Sequence, residues 1–195
     1  MTHSDQLALD KKNIDTILVL DFGSQYTQLI ARRIRELDVF SVILPWDISK
    51  ERIAVLNPTG IILSGGPESV TNNNTPRIPK IIFDLEIPIL GICYGMQTLA
   101  EQFGGQVTAS KTKEFGHTSI TIEAANTLFD GFDTGSSIDV WMSHGDHVSS
   151  LPDQFHLIAS TPSAPIAAMA HTEKPIYALQ FHPEVTHTKE GGIVL

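Results

Sequence analysis

The sequence predicts an α/β protein: an open, mainly parallel sheet with helices on both faces, and some antiparallel strands in its second half. Three observations lead there. Short unbroken apolar runs, Ile17-Leu18-Val19-Leu20 the first of them, suit strands buried on both faces. As far as Gly105, such runs alternate with segments whose apolar residues fall three and four apart, which is the βαβ pattern. Beyond it, short strand-like runs follow one another, divided only by turns. The 195 residues fit one domain, and no repeat or linker divides them.

Each element has a local reason. The first strand runs from Ile14 to Phe22 and is broken by Gly23-Ser24-Gln25. From Tyr26, residues Leu29, Ile30, Ile34 and Leu37 mark one helical face, with Arg32, Arg33 and Arg35 between them. Phe40 to Leu44 is a second strand stopped by Pro45, and Ser49 to Leu56 a short helix. Gly60 to Leu63 is a third strand, ending in Ser64-Gly65-Gly66-Pro67. A polar loop covers Thr71 to Thr75, and Ile78 to Leu85 reads as a helix. Pro88 to Ile92 is a fourth strand, and Gly95 to Phe103 a helix closed by Gly104-Gly105. Ser119 to Glu123, Ile138 to Met142, Phe155 to Ser160, Ile166 to Ala170 and Ile176 to Phe181 read as short strands.

Composition excludes several functions. Lys plus Arg number 13 against 22 Asp plus Glu, a net charge of −9. Such a chain gains nothing from counterion release, so a nucleic-acid partner is not expected. No run approaches the roughly 18 apolar residues of a membrane span, so no membrane association is expected either. Met1 to Asn13 is polar and has no apolar signal core; residues 1–13 are expected to be a flexible tail and the location cytoplasmic. The single cysteine, Cys93, forbids an internal disulfide and fits a reducing compartment.

That cysteine lies in Gly91-Ile92-Cys93-Tyr94-Gly95, a G-x-C-x-G sequence where a buried strand meets a helix. A sharp turn of this kind lifts a nucleophile above a sheet, and the flanking glycines give clearance. The helix N-terminus would favour the thiolate. The plain alternative is a small buried hydrophobe. A nucleophilic cysteine needs a base, and the base an orienter. Among eight histidines, His182 stands out in Gln180-Phe181-His182-Pro183-Glu184. In extended chain, residues two apart point the same way, so Glu184 could hold the imidazole that deprotonates Cys93. Taken by itself the tripeptide is an ordinary surface turn. Ser64-Gly65-Gly66-Pro67, at the end of a strand, could supply a backbone N–H to an oxyanion, and Tyr94 the second. A phosphate loop is rejected: Pro67 removes a donor, and no Walker-type sequence occurs. His144-Gly145-Asp146-His147 has too few ligand types for metal and is read as a polar loop lining the site; no metal is expected.

Taken together, Ser64-Gly65-Gly66-Pro67, Gly91 to Gln97 and Phe181 to Glu184 resemble, in order, the three signatures of the class I (triad) glutamine amidotransferases. The resemblance covers the chain from Ile17 to Gly192 and implies their flavodoxin-like fold. The stretches Leu20 to Tyr26, Trp141 to Asp146 and His182 to Thr188 look like the amidotransferase domains of GMP synthetases. The amidotransferase subunits of anthranilate and carbamoyl-phosphate synthases share the triad without them. The resemblance implies that Cys93, His182 and Glu184 hydrolyse glutamine to glutamate and ammonia through a cysteinyl thioester. It implies an oxyanion held by the Gly66 and Tyr94 N–H groups, and a glutamine pocket including Gln97, Ser143 and His144. In such enzymes the ammonia goes to an ATP-pyrophosphatase domain. That domain uses ATP and Mg2+ to adenylate xanthosine monophosphate, whose amination gives GMP, and the whole enzyme is a homodimer. Residues 14–195 would then be the amidotransferase domain, excised or separately encoded, with no cofactor of its own. The ATP-pyrophosphatase and dimerisation domains would be absent. An amidotransferase subunit of another class I synthase, a γ-glutamyl hydrolase or cysteine peptidase, and a docking module without catalysis are the rival readings.

Overall fold

The computed structural model describes residues 15–195, and of 110–113 the backbone alone. The expected N-terminal tail, with Ile14, lies outside the described residues. Among the described residues, nine strands form one sheet in the order β2-β1-β3-β4-β9-β8-β7-β5-β6. Strands β1 (Thr16–Asp21), β2 (Phe40–Pro45), β3 (Gly60–Leu63), β4 (Ile89–Ile92) and β9 (Ile176–Leu179) are parallel. Strands β8 (Ala168–His171), β7 (Phe155–Ser160), β5 (Gln106–Ile122) and β6 (Ser137–Ser150) continue the sheet in antiparallel pairing.

The unbroken apolar runs are explained by burial on both faces. Leu18, Val19 and Leu20 are all fully buried, yet they serve different layers. Leu18 and Leu20 pack with Ile53 of helix α2 (Lys50–Leu56) and with Met96, Leu99 and Ala100 of helix α3 (Tyr94–Gln102). Val19 packs with Ile30, Ala31 and Ile34 of helix α1 (Thr27–Glu36). Helices therefore cover both faces, as expected. The Ser49 hydroxyl caps α2 by accepting the Arg52 N–H at 3.3 Å, and Asn57 ends it at φ 47°. A last turn, α4 (Gly191–Val194), places Val194 in the core of the antiparallel half.

Three expectations are corrected. Ile78 to Leu85 is not an α-helix. Only Lys80–Asp84 form a 3-10 turn, without a side-chain cap. Pro79 and Pro88 bound the segment, Glu86 turns to φ 54°, and too little chain remains to repay helix nucleation. Ser119 to Glu123 and Ile138 to Met142 are parts of two much longer strands, which form a ribbon with a register shift between Ala109 and Glu114. His144 to His147 therefore belongs to a strand and not to a loop. In β6, Ile138, Val140, Met142 and His144 alternate inward, so the period of two runs through a histidine that polarity alone would assign to a turn.

The parallel register fixes where the motifs meet. Leu20 pairs with Leu44 and Leu63, Leu63 with Gly91, and Ile92 with Leu179. The carboxyl ends of β1, β3, β4 and β9 thus lie level along one edge. From it emerge Phe22 to Tyr26, Ser64 to Pro67, Cys93 and Gln180 to Glu184. This edge is where open α/β sheets place their sites.

Candidate active site

Cys93 joins β4 to α3 with φ 52° and ψ −105°, a conformation that costs a non-glycine residue free energy. The surroundings impose it. Its N–H donates to the Leu179 carbonyl at 2.7 Å, and its carbonyl accepts the Gln97 N–H at 3.1 Å. Both glycines of the motif are required by close approach. A Cβ on Gly91 would come within 2.8 Å of the Gly95 backbone, and one on Gly95 would strike the Leu63 carbonyl. The turn is thereby pressed against β3 and can place no other residue type at these two points.

His182 and Glu184, at the end of neighbouring β9, are buried at 3% and 0% exposure. The His182 Nδ1–H donates to Glu184 Oε1 at 2.7 Å, which leaves Nε2 for the cysteine. Their backbone is fixed independently of the side chains. Thr188 Oγ1 donates to the His182 carbonyl at 2.7 Å, His182 N–H to the Trp141 carbonyl at 3.0 Å, and Arg33 Nε to the Glu184 carbonyl at 3.0 Å. The Tyr26 ring meets the imidazole edge-on at 5.1 Å. Burial pushes the His182 pKa down, but hydrogen bonds and charge from Cys93 and Glu184 outweigh it and raise it to about 10. An imidazolium between a sulfur and a carboxylate is the physical content of that shift. The sequence reading of these residues as side by side is met by the geometry.

A cleft of about 340 Å³ opens over the pair, lined by Gly23, Ser24, Gln25, Tyr26, Gly65, Gly66, Pro67, Cys93, Ser143 and His182. Gly66 packs closely: a Cβ there would lie 2.8 Å from the Phe22 carbonyl and 3.3 Å from Tyr94 Cγ. Tyr94 begins α3, so its N–H has no partner within the helix. The Tyr94 side chain anchors the segment after Gly66: its hydroxyl donates to the Pro76 carbonyl at 2.6 Å and accepts from Arg77 at 3.3 Å. Burial raises the Tyr94 pKa, so it holds these bonds as a neutral phenol.

The second side of Cys93 faces a cleft of about 460 Å³ shared by Glu68, Ser69, Gln97, Phe115, Ser143 and His144. The Ser143 carbonyl oxygen lies 3.6 Å from the Cys93 sulfur. Gln97 is buried, and its amide donates to the Asp146 carbonyl at 2.8 Å. His144 Nδ1 also donates to that carbonyl, at 3.1 Å, and its Nε2 lies 3.2 Å from Glu114 Oε2. Burial lowers the His144 pKa, with Glu114 opposing. Gln97 and His144 thus brace β6 behind the cleft, while Ser143 stands at the sulfur. Sequence reasoning does not assign Ser24, Gln25 and Tyr26 to the cleft wall, where the structure places them. It also misses Glu114, and Gln180, whose amide reaches Cys93 Sγ at 3.8 Å. Among the described residues no cluster of metal-ligating side chains occurs, and no helix is long and apolar enough to cross a membrane.

Comparison with known proteins agrees with this arrangement. The family model for class-I glutamine amidotransferases matches residues 18–195. The chain is 56% identical over 185 residues to a glutamine-hydrolysing GMP synthase of Ectopseudomonas mendocina, covering 92% of this chain and 35% of that protein. It is 56% identical over 192 residues to the enzyme of the same name from Hamiltonella defensa, covering 94% and 37%. The chain therefore spans about a third of the length of these relatives. A solved structure from Thermoplasma acidophilum, described as that of a GMP synthase subunit, superimposes with a TM-score of 0.81 at 37% identity, covering 93% of this chain and 90% of that one. An open sheet with a cysteine elbow beside a buried His-Glu pair, and a family match over nearly all the described residues, lead to one conclusion: the chain belongs to the class-I glutamine amidotransferases.

Proposed function

We propose that this chain is a glutaminase that supplies ammonia for the ATP-dependent amination of xanthosine monophosphate to GMP. The observation that carries the reading is Cys93 held at φ 52° on the elbow, in the cleft that the Glu184-bound His182 also lines. The Cys93 thiolate attacks the side-chain amide carbon of glutamine. The carbonyl π electrons move to oxygen, which the Gly66 and Tyr94 N–H groups stabilise. His182 gives its proton to the leaving nitrogen, and ammonia departs as the C–N bond breaks. His182, now neutral, takes a proton from water, which attacks the thioester and returns Cys93 and glutamate. Glu184 keeps the proton-bearing Nδ1 turned away from the reaction throughout. Gln97, Ser143 and His144 shape the glutamine pocket, with Ser143 nearest the sulfur.

In this reading the amide chemistry needs no cofactor of its own. ATP and Mg2+ serve an ATP-pyrophosphatase unit, in the same chain or in a separate partner chain. The support is the naming of the 56% identical relatives and of the Thermoplasma structure, together with their coverage. The full enzyme is a cytoplasmic homodimer, and the acidic charge of −9 gives no basis for nucleic-acid or membrane partners. The test is ammonia release from glutamine with the ATP-pyrophosphatase unit, ATP, Mg2+ and xanthosine monophosphate added stepwise. Stimulation on completing the mixture is expected. Ammonia release indifferent to all of them would overturn the GMP assignment. Faster turnover of a γ-glutamyl peptide than of glutamine would overturn the glutaminase.

A further inference from the structure

The loop beside the elbow contains a buried hydroxyl that the chemistry above does not use. Ser64 follows β3 and is 0% exposed. Its Oγ accepts the Phe22 N–H at 3.0 Å and donates to the Gly65 carbonyl at 2.8 Å. Its own N–H donates to the Leu20 carbonyl, and its carbonyl accepts the Gly95 N–H, both at 3.1 Å. One residue therefore ties together the end of β1, the Gly65-Gly66 turn and the first turn of α3.

The Gly65 carbonyl and the Gly66 N–H belong to one peptide unit. In a planar trans peptide they point in opposite directions. A carbonyl held inward on the Ser64 hydroxyl turns the Gly66 N–H outward, toward the cleft that Gly65, Gly66 and Cys93 line. The peptide is flanked by two glycines, and a glycine-flanked peptide rotates without the Cβ clashes that would restrain other residues. Glycine cannot be replaced at 66 to supply a brake, because a Cβ would lie 2.8 Å from the Phe22 carbonyl. Rotation of this peptide would replace the N–H by a carbonyl oxygen, placing negative charge where the oxyanion forms.

We propose that Ser64 is a positioning residue that locks the Gly65–Gly66 peptide with its N–H facing the cleft, and so keeps the oxyanion site formed before substrate arrives. The assignment rests on the glutaminase reading, with Gly66 as an oxyanion donor.

Two alkylating probes separate the lock from the site as a whole. Iodoacetamide reacts with the Cys93 sulfur by displacement of iodide and needs no oxyanion. The chloroketone built on the glutamine skeleton also forms a sulfur–carbon bond as chloride leaves, but its ketone oxygen takes the oxyanion position. Ser64→Ala should lower chloroketone labelling and glutamine kcat by about tenfold to a hundredfold, somewhat less than loss of a whole oxyanion donor. KM and the iodoacetamide rate at Cys93 should stay within about threefold. Ser64→Cys, which keeps the shape and weakens both bonds, should fall between, and carries the test if the alanine variant does not fold by circular dichroism. Unchanged chloroketone labelling in the variants, or equal loss with both probes, would overturn the lock. Failure of the wild type to react with the chloroketone would instead count against the glutaminase reading.

Discussion

The parallel half of the sheet and the β5/β6 ribbon both reach Cys93, but they hold their residues by different means. At the elbow in the parallel half, position comes from backbone. The Cys93 N–H is tied to Leu179, the Gly95 N–H to Ser64, and two glycines are packed where no side chain fits. In the ribbon, position comes from polar side chains: His144 to the Asp146 carbonyl and Glu114, Gln97 to the same carbonyl, and Glu114 to Ser163 at 2.7 Å. Backbone ties of the first kind belong to the cooperative core of the fold, whereas side-chain braces can open locally. Cys93, His182 and Glu184 follow strands of the parallel half. Of the groups assigned to the glutamine pocket, Ser143 and His144 sit on the ribbon, whose Phe115 is 66% exposed, and Gln97 reaches it from α3.

Breaking the rigid half should cost most. Glu184→Gln keeps the shape but removes the charge and offers an amide N–H that holds His182 in the wrong tautomer; kcat should fall by up to about 10⁴-fold with KM little changed. The same pair predicts a pH dependence of stability. The folded-state pKa of His182 is raised to about 10 from the ordinary value of 6.5, so folding favours its protonated form. That contribution is fully present below about pH 6.5 and is lost as pH rises through 10. Denaturant titrations between pH 6 and 10 should show a fall in stability that His182→Gln largely removes.

Glycine substitutions sharpen the contrast within one residue type. Gly95→Ala drives a methyl into the Leu63 carbonyl and should lower unfolding free energy by about 3 kcal/mol or more. Gly116 in the ribbon has φ 123° but nothing within 4 Å of an added Cβ, so Gly116→Ala should cost about 1 kcal/mol through backbone strain alone. Equal losses in urea titration would erase the distinction. The smallest effect belongs to the brace. Glu114→Ala leaves His144 without its carboxylate and should raise KM for glutamine a few-fold, with kcat and iodoacetamide labelling of Cys93 nearly unchanged.

The same division decided what could be read from sequence. Strands β1, β3 and β4 announce themselves because burial on both faces demands unbroken apolar runs, and the elbow because close approach demands Gly91 and Gly95. His182 and Glu184 were legible from a spacing of two. The ribbon was not, since β5 is nearly all polar from Thr108 to Ser119, and its inward residues are defined by β6 rather than by hydrophobicity. Glu114 acquires its role only when the antiparallel register sets it opposite His144, a pairing far apart in the chain. The segment after Pro79 has helical apolar spacing, but its bounding prolines leave room for a single turn.

The central claim is that Cys93 is the nucleophile for a glutamine-like carbonyl, and the glutamine-derived chloroketone tests it most directly. Mass analysis of digested protein should find one adduct, on the Cys93 peptide, slowed by added glutamine and absent from Cys93→Ala, which should also lose ammonia release by at least about 10⁴-fold. Undiminished labelling of the Cys93→Ala variant, or labelling of Cys93 that glutamine does not slow, would contradict the account.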